Sequence, residues 1–333
     1  KVKEHVEVPK DEKKIIEPKV SITQVESKKK NKNKRQKGKK AEQPVKAEEP
    51  VKAEEPVKAE EPVKAEEPVK AEGLVYPEGF PELLKDYDKN SKGLWENFHP
   101  IFNKGEQSIL AISYLGVVAG YITVTAKDIV KIGDRMAYHY LARFKSKEVY
   151  SYFYWLDDNL ETFIDKEKYL PIKYSLIQRE KKQNVDDLQL FDFEKLKVLT
   201  WYKRVKVGSD KNEHLEKDIP YYLQDSFSAL QFVRALPLRR GDHYDFPVST
   251  RGETWLLKAE VLGEETISVN DVDVKAIRLR AETHFPGVLQ KSGDINFWYA
   301  ADAGKRLLKF QAKIKIGSIY GELVEYKPGV AEK

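Results

Sequence analysis

An abrupt change of composition at about Gly73 constrains this chain more than any other feature. Residues 1–72 contain no aromatic residue, so all 5 Trp, 18 Tyr and 14 Phe come after this point. The hexapeptide Lys46-Ala-Glu-Glu-Pro-Val51 is followed by three further identical copies that end at Val69. Such a segment buries too little apolar surface to offset the entropy of ordering its backbone. We therefore predict a disordered basic and repeat-containing tether over residues 1–73, attached to one folded body.

The body is long enough for one large β domain, which we place at residues 107–328 after a short helical lead-in at 74–106. Of 59 Lys/Arg and 54 Asp/Glu residues, 20 and 16 lie within residues 1–73. The basic surplus therefore belongs mainly to the tether, and we expect no specific nucleic-acid partner for the body. The chain has no Cys, which excludes disulfides, thiolate metal sites and Cys nucleophiles.

A basic run in the tether leaves two interpretations open. It is either a solvated spacer or a site of electrostatic attachment to a polyanion, such as anionic lipid, nucleic acid or an acidic envelope polymer. The nine basic residues of this run are Lys28, Lys29, Lys30, Lys32, Lys34, Arg35, Lys37, Lys39 and Lys40.

The segment from Gln107 to Ala126 has the length of a membrane-spanning helix, and the small-residue spacing of Gly116 and Gly120 also suits one. However, β-branched residues and Tyr alternate with apolar residues after Gly120, which is typical of a strand. We therefore predict two strands joined through Gly116–Gly120 instead of a membrane helix.

A period of two continues through the rest of the body, with Gly, Asp and Asn at the expected turns. A helix from Ser226 to about Ala235 interrupts it, with Asp225 as the expected N-cap. The body is thus predicted to be mainly β: a large antiparallel meander forming a curved sheet or barrel, with the helix at its mouth or on one face. The candidate strands are 107–115, 119–131, 135–145, 148–156, 159–164, 172–180, 186–193, 196–206, 243–249, 253–263, 273–284, 294–301, 306–315 and 318–327.

Four stretches of the body carry a resemblance to a known family. They are Ile112 to Tyr121, Tyr150 to Tyr154 with Asp165 and Leu170 to Tyr174, Gln224 to Pro237, and Trp298 to Asp302 with Lys313 to Leu323. These stretches, which span about residues 107–326, resemble a family of exported Gram-negative proteins known as domain of unknown function 3108. The resemblance implies an exported, β-rich protein of the periplasm or outer cell envelope, and it supplies no reaction and no catalytic residue. The chain begins at Lys1 and not at Met, which is compatible with the removal of a leader or an anchor.

No motif in the sequence indicates catalysis, a metal site or a cofactor. There is no nucleophile elbow, no phosphate-binding glycine loop and no paired-histidine metal motif. The segment from Asp242 to Asp245 is interpreted as a polar turn instead of a metal site. The acidic pairs are also interpreted as solvated turns, since carboxylate catalysis needs a cleft and a definite separation. These pairs are Asp157-Asp158, Asp186-Asp187 and Glu264-Glu265.

Aromatic residues are the most informative part of the body. Core packing is their default role, and the alternative is that some line an apolar cavity inside the curved sheet. In strand 148–156 we assign Phe153 and Trp155 to the inward face. Arg234 is expected to be partly buried and paired with a strand carboxylate or an anionic ligand headgroup. The candidate ligand-binding residues are Phe153, Trp155, Phe227, Arg234, Trp255 and Trp298.

These observations predict a non-enzymatic envelope protein that binds a hydrophobic or amphipathic ligand, such as a lipid, or docks an envelope partner. Two alternatives remain open: a structural or interaction scaffold with a filled core, and a hydrolase whose site forms only in three dimensions. A cavity would favour ligand binding, a filled core the scaffold, and a cleft with polar groups of perturbed pKa the hydrolase.

Overall fold

A computed structural model describes residues 74–151, 155–283, 293–314 and 317–331, all of which belong to the unit Ala71–Lys333. The predicted tether and its basic run lie outside the described residues. Three helices are present in the described part of the chain: α1 (Glu82–Glu96), α2 (Glu148–Ser151) and α3 (Ser228–Ala235).

Seventeen strands are described, and fifteen of them form one sheet. They are β1 (Asn103–Lys104), β2 (Gln107–Tyr114), β3 (Val117–Ile132), β4 (Arg135–Ser146), β5 (Asp157–Asp165), β6 (Pro171–Arg179), β7 (Gln183–Asp192), β8 (Lys197–Lys206), β9 (Lys211–Asp218), β10 (Gln224–Asp225), β11 (His243–Thr250), β12 (Glu253–Val269), β13 (Val272–Thr283), β14 (Gly293–Ala300), β15 (Leu307–Lys313), β16 (Ser318–Lys327) and β17 (Val330–Ala331).

The sheet is a nearly continuous antiparallel meander, which confirms the predicted fold class. Strands β2 to β9 follow one another across the sheet, and β16 to β10 extend in reverse order from the other side of β2. The pairing of β16 with β2 joins the two halves. Within the described strands of this sheet, β9 and β10 are the edges, and only the β10–β11 pair is parallel. The short β1 and β17 pair separately.

The two strands predicted in place of a membrane helix are present as β2 and β3. A two-residue turn joins them, and both Leu115 and Gly116 have positive φ, at 50° and 79°. Such a turn matches the twist of a hairpin and favours glycine at its second position. No helix in the described parts of the chain is long and apolar enough to cross a membrane.

One predicted strand is wrong, and four of the described strands were not predicted: β9 and the two-residue strands β1, β10 and β17. The strand predicted over residues 148–156 is not found at its first residues, because Glu148–Ser151 is the short helix α2. Just before β5, the Ser146 N–H at the end of β4 donates to the Leu156 carbonyl at 3.1 Å. Residues 152–154, which carry most of the aromatic run, lie outside the described residues. Conversely, β9 is too charged to show the apolar alternation that identifies a strand. Its charge suits an edge strand, where it discourages pairing with other chains.

The sheet curls around α3, and its inner face is defined here as the face that packs on this helix. Seven of the eight α3 residues are buried, and the main apolar core joins α3 to β3–β8 and β11–β14. Burial of this apolar surface is the main force that holds the curl together. On one side, Trp95 of α1 stacks on Phe232 of α3 with ring centroids 4.1 Å apart. The helix therefore lies against the inner face of the sheet, one of the two predicted positions.

A second, smaller core lies on the outer face of β12–β16. It includes Ala276, Trp298 and Leu308, all less than a tenth exposed. Strand β14 contributes to both cores, because its residues alternate between the two faces: Phe297 and Tyr299 pack inward, whereas Trp298 packs outward. One of the three aromatic residues of this strand, Trp298, is thus separated from the interior by the sheet itself.

Candidate functional site

Helix α3 is positioned by a buried carboxylate at its start. The Asp225 carboxylate accepts hydrogen bonds from the Phe227 and Ser228 N–H groups at 2.7 and 2.8 Å, and Thr162 of β5 donates to its other oxygen. The helix begins at Ser228, two residues later than predicted, and Phe227 occupies its N-cap position without a side-chain hydrogen bond. Asp225 therefore binds the first amides from two positions before the N-cap, instead of from the N-cap itself as predicted. Burial raises the pKa of Asp225 to about 6, against the opposing effect of its hydrogen bonds.

A buried ion pair anchors the other end of α3. One Arg234 nitrogen lies 2.8 and 3.0 Å from the two Glu106 carboxylate oxygens, and Arg234 Nε donates to the Gly304 carbonyl at 2.7 Å. Both side chains are less than a tenth exposed. The prediction of a buried Arg234 with a carboxylate partner is therefore correct, but the partner lies just before β2 and not on a strand.

A small cavity of about 50 Å³ with a mixed polar and apolar lining lies beside this ion pair. Ser108, Gln231 and Tyr140 add hydrogen-bonding groups to its wall, and Leu110 and Val124 form an apolar part. Burial raises the pKa of Tyr140 well above its usual value, so its hydroxyl stays protonated and donates to the Ile101 carbonyl at 3.1 Å. The cavity offers hydrogen bonds but no uncompensated charge.

An almost entirely apolar cavity of about 90 Å³ lies on the adjoining side of α3. It separates the helix from the inner faces of β11–β14. Because Leu257, Ile295 and Phe297 are only partly buried, the cavity has access to solvent. Its wall is formed by Ser226, Ala229, Leu230, Val233, Val248, Leu257, Leu279, Ala281, Ile295, Phe297 and Tyr299.

The two cavities share a boundary formed by Leu230 and Tyr299. The Tyr299 hydroxyl lies 3.5 Å from the Leu230 carbonyl, and Leu230 is the one α3 residue that is only partly buried. We name the two cavities together the α3 groove. It has an apolar end, a polar end and a partly exposed leucine at the junction.

The five described residues among the six predicted to bind ligand do not form one site. Phe227 is the N-cap of α3, Arg234 lies in its last turn, and Trp255 is opposite Val248 on the inner face of β12. Trp298 lies on the outer face, where its indole N–H donates to Glu265 and Arg278 stacks 5.3 Å from its ring. Trp155 lies outside the strands and is 41% exposed. Phe153 is outside the described residues, and its predicted inward position rested on the strand predicted over residues 148–156.

The cavity-lining residues Leu257, Leu279, Ile295 and Phe297 were not predicted. The alternation of Ile295 and Phe297 on β14 was the available signal, since two apolar residues spaced by two share one face. That signal does not reveal which residues of distant strands face the same helix. Only the curl of the sheet brings β11 and β14 to one side of α3.

The acidic pairs are not solvated turns, so that prediction is wrong. All three lie within strands β5, β7 and β12. Asp158 is buried and accepts a hydrogen bond from the Arg179 N–H at 2.8 Å, while Asp157 pairs with Arg143. Asp187 is buried on the inner face of β7, and burial raises its pKa to about 7.

The acidic turn before β11 does not form a metal site. Asp242 accepts hydrogen bonds from the Tyr244 hydroxyl at 2.6 Å and from the Arg239 N–H at 3.0 Å, so its carboxylate closes the turn. Among the residues that the structure describes, no three His, Cys, Asp or Glu side chains are grouped closely enough to bind a metal ion.

A family model described as "Protein of unknown function (DUF3108)" matches residues 110–324 of the chain. No curated protein matches this chain. A β-barrel-like protein of domain of unknown function DUF1849 from Brucella abortus aligns with 68% of this chain and 99% of its own, at 10% identity and a TM-score of 0.43. A protein with a YmcC-like fold from Bacteroides fragilis aligns with 69% of this chain and 99% of its own, at 12% identity and a TM-score of 0.29.

Proposed function

The chain belongs to the Protein of unknown function (DUF3108) family, and because that description assigns no activity, we propose a function from the α3 groove. The protein is a non-enzymatic binding protein that takes a short amphipathic group, such as the end of a lipid chain with its nearest polar atoms. The single observation that supports this proposal is the junction of an apolar cavity with a polar one at Leu230 and Tyr299.

The size and chemistry of the groove define the ligand. A cavity of about 90 Å³ accommodates only a few methylene groups or a small ring, not a whole lipid. At the polar end, Arg234 is already neutralised by Glu106, so a neutral hydroxyl, amide or ester suits this end better than a free anion. Both the small volume and the neutralised charge are consistent with a ligand that inserts only one short segment into the groove while the rest of the ligand stays outside it.

A series of n-alkanols tests the proposal through ligand-induced stabilisation of the full chain. Affinity should increase by about 0.8 kcal/mol for each added methylene until the apolar end is full, and then stop increasing. Ala281→Ile fills part of the cavity wall and should weaken binding of the longer alkanols at least tenfold, without lowering the melting temperature. Ala119→Ile, the same change at an exposed strand position, is the matched control.

Absence of alkanol binding to the parent protein would contradict the proposal and favour an interaction scaffold. That second candidate is supported by the packing of the interior, where α3 and its aromatic neighbours occupy most of the space inside the curl. Equal binding to the Ala281→Ile and Ala119→Ile variants would instead place the alkanol site outside the groove.

Envelope localisation and the tether are part of the same proposal. The resemblance noted from the sequence implies export to the periplasm or outer envelope, where acyl chains are abundant. The basic run from Lys28 to Lys40 is proposed to contact an anionic surface or polymer, which would concentrate the protein near such ligands. Binding to vesicles that contain anionic lipid should weaken as salt increases, and deletion of residues 28–40 should abolish it.

A further inference from the structure

The curled sheet is closed by side chains at a seam where its two ends overlap. Strands β9 and β10 are its edges, yet the inner face of β7 contacts β11: Ser249 Oγ donates to the Gln189 side-chain oxygen at 2.9 Å. The turn that follows β11 makes a second contact, from the Gly252 N–H to the same oxygen at 3.3 Å. The β11–β12 hairpin thus contributes two of the hydrogen bonds that fasten the overlap, beside those that Asp225 and Gln224 of β10 make to Thr162 and to the Tyr169 carbonyl.

The turn of this hairpin fits closely against β8. Arg251 and Gly252 form the two-residue turn between β11 and β12, with φ of 53° and 74°. A Cβ on residue 252 would lie 2.9 Å from Thr200 Oγ1, so only glycine allows this approach without a shift. The Arg251 guanidinium lies 4.9 Å from the centre of the Tyr202 ring.

Beneath the turn lies a quartet of buried polar residues on the inner faces of β7 and β8. Asp187 is directly opposite Tyr202, and Gln189 is directly opposite Thr200. Each is 3% exposed or less. Each has one polar side-chain atom without a protein hydrogen-bond partner: Asp187 Oδ1, Gln189 Nε2, Thr200 Oγ1 and Tyr202 OH.

Buried polar atoms without protein partners are stabilised by water, and movement of the turn would expose this group to water. We propose that the Arg251-Gly252 turn is a latch that closes the sheet over the quartet, and that the latch opens when Asp187 loses its proton. The neutral carboxyl group tolerates the closed site, whereas the carboxylate requires hydration of its free oxygen.

Two opposing electrostatic effects act on Asp187, and burial is the stronger. Attraction to Arg251 favours the carboxylate, but removal from water raises the pKa of Asp187 to about 7 in spite of it. By linkage, ionisation then favours the open, hydrated state as pH increases through this value. The charged and titratable groups around Asp187 are Tyr202 of β8, Tyr174 of β6, Asp225 of β10, Arg251 of the turn and the Lys217–Glu253 ion pair beside it.

Hydrogen exchange of the full chain at pH 5.5 and pH 8 tests the latch. After correction for intrinsic exchange rates, amides of residues 249–255 should exchange about thirtyfold faster at pH 8. The ionised fraction of Asp187 increases about tenfold for each pH unit up to its pKa of about 7 and then levels off. Amides of the β2–β3 hairpin serve as an internal reference and should show no such change. Equal protection of residues 249–255 at both pH values would overturn the proposal.

Two variants identify the responsible carboxyl. Asp187→Asn should keep residues 249–255 protected at both pH values, because the amide does not ionise. Asp186→Asn, which changes the exposed neighbour paired with Arg179, should retain the parent's pH response. A pH response that persists in Asp187→Asn would also overturn the proposal. If that variant fails to fold, the proposal is tested by the parent protein alone, through the comparison of residues 249–255 with the β2–β3 reference amides.

Discussion

At the scale of single residues, burial decides the role of each carboxylate more than its sequence neighbours do. Asp186 and Asp187 are adjacent, but strand alternation places the first in solvent beside Arg179 and the second in the core. Asp225 is buried too, yet it is supported by three hydrogen-bond donors. Burial raises the pKa of both carboxyl groups, and the hydrogen bonds of Asp225 offset part of this effect, so its pKa is about 6 whereas that of Asp187 is about 7.

Asp187→Asn is predicted to stabilise the protein at neutral pH. The pKa of Asp187 is raised from 3.8 to about 7 by burial, so its folded state binds more protons than its unfolded state between these values. Its contribution to stability is thus complete below about pH 4 and is lost as pH increases through 7. We expect the variant to gain about 2 kcal/mol at pH 8 and nothing at pH 4, measured by denaturant titration.

The matched control for this prediction is Asp186→Asn, whose stability should follow the parent at every pH. His139 acts in the opposite direction in all three proteins, because burial lowers its pKa and its contribution increases with pH. The difference between the two variants removes this common effect. A parallel pH profile for both variants would contradict the assignment to Asp187.

Asp225→Ala is predicted to destabilise the protein by about 1 to 2 kcal/mol, because two amide donors at the start of α3 lose their acceptor. Asp192→Ala removes a carboxylate that also accepts two amide hydrogen bonds, from Glu194 and Lys195, but in an exposed turn. Thermal melts should show a clearly smaller loss for Asp192→Ala. Equal melting temperatures for Asp225→Ala and the parent would mean that another group supports this end of the helix.

At the scale of elements, α3 determines how the sheet can close. It is only eight residues long, which is too short for a helix to be stable alone. Its stability therefore comes from burial on nearly all sides and not from local helix propensity. Asp225 holds its start to β5, Arg234 holds its end to the residue before β2, and Trp95 of α1 covers Phe232. The helix thus connects strands that lie far apart in the sheet order.

Arg234→Met is predicted to destabilise the protein by about 3 to 5 kcal/mol, because it leaves the Glu106 carboxylate buried without its partner. Adding Glu106→Gln should restore part of this loss. Arg280→Met is the matched control, because it breaks an Arg–Glu pair that is exposed to solvent. An Arg280 nitrogen lies 2.7 Å from a Glu260 carboxylate oxygen, and loss of this pair should change the free energy of unfolding by less than about 1 kcal/mol. Similar losses for the two arginine variants, measured by urea unfolding, would show that the pair with Glu106 is not buried in solution.

At the scale of the whole molecule, the folded unit needs α1 as well as the sheet. Leu84 is buried, and the Asp88 carboxylate accepts the Tyr222 N–H at 2.8 Å, so α1 joins the connection between β9 and β10. The described fold therefore starts close to the composition change at Gly73. The repeats themselves supply no aromatic or other large apolar side chain to such a core.

Removal of residues 1–73 is predicted to leave the melting temperature unchanged, and limited proteolysis of the full chain should release a stable fragment that starts between residues 72 and 105. Removal of residues 1–98 also deletes α1 and exposes Phe232, so it should lower the melting temperature by several degrees. A protected fragment that keeps the hexapeptide repeats would contradict the tether. Equal melting of the two truncated proteins would contradict the role of α1.

Local pattern was sufficient to predict most of the elements, because alternation and turn residues act between near neighbours. The β2–β3 hairpin with Gly116, the helix after Asp225 and the burial of Arg234 could all be derived in this way. The pattern was misleading where it had another cause: Glu148–Ser151 is a short helix and not the start of a strand, and the adjacent acids of β7 are not a turn. It did not predict β9, because the charged side chains of this strand show no apolar alternation.

By itself, the sequence determined that this chain has an aromatic-free repeat segment, a large antiparallel β body and one internal helix, since composition and periodicity are properties of short stretches. The tertiary structure alone decided which faces meet. It separated Trp298 from the interior, placed Glu106 against Arg234, and brought β11 over β7 so that Asp187 became buried beneath a turn far away in sequence. These outcomes depend on how the whole sheet curls around α3. The curl results from many small packing interactions between distant strands, and such interactions produce no pattern in a short stretch of sequence.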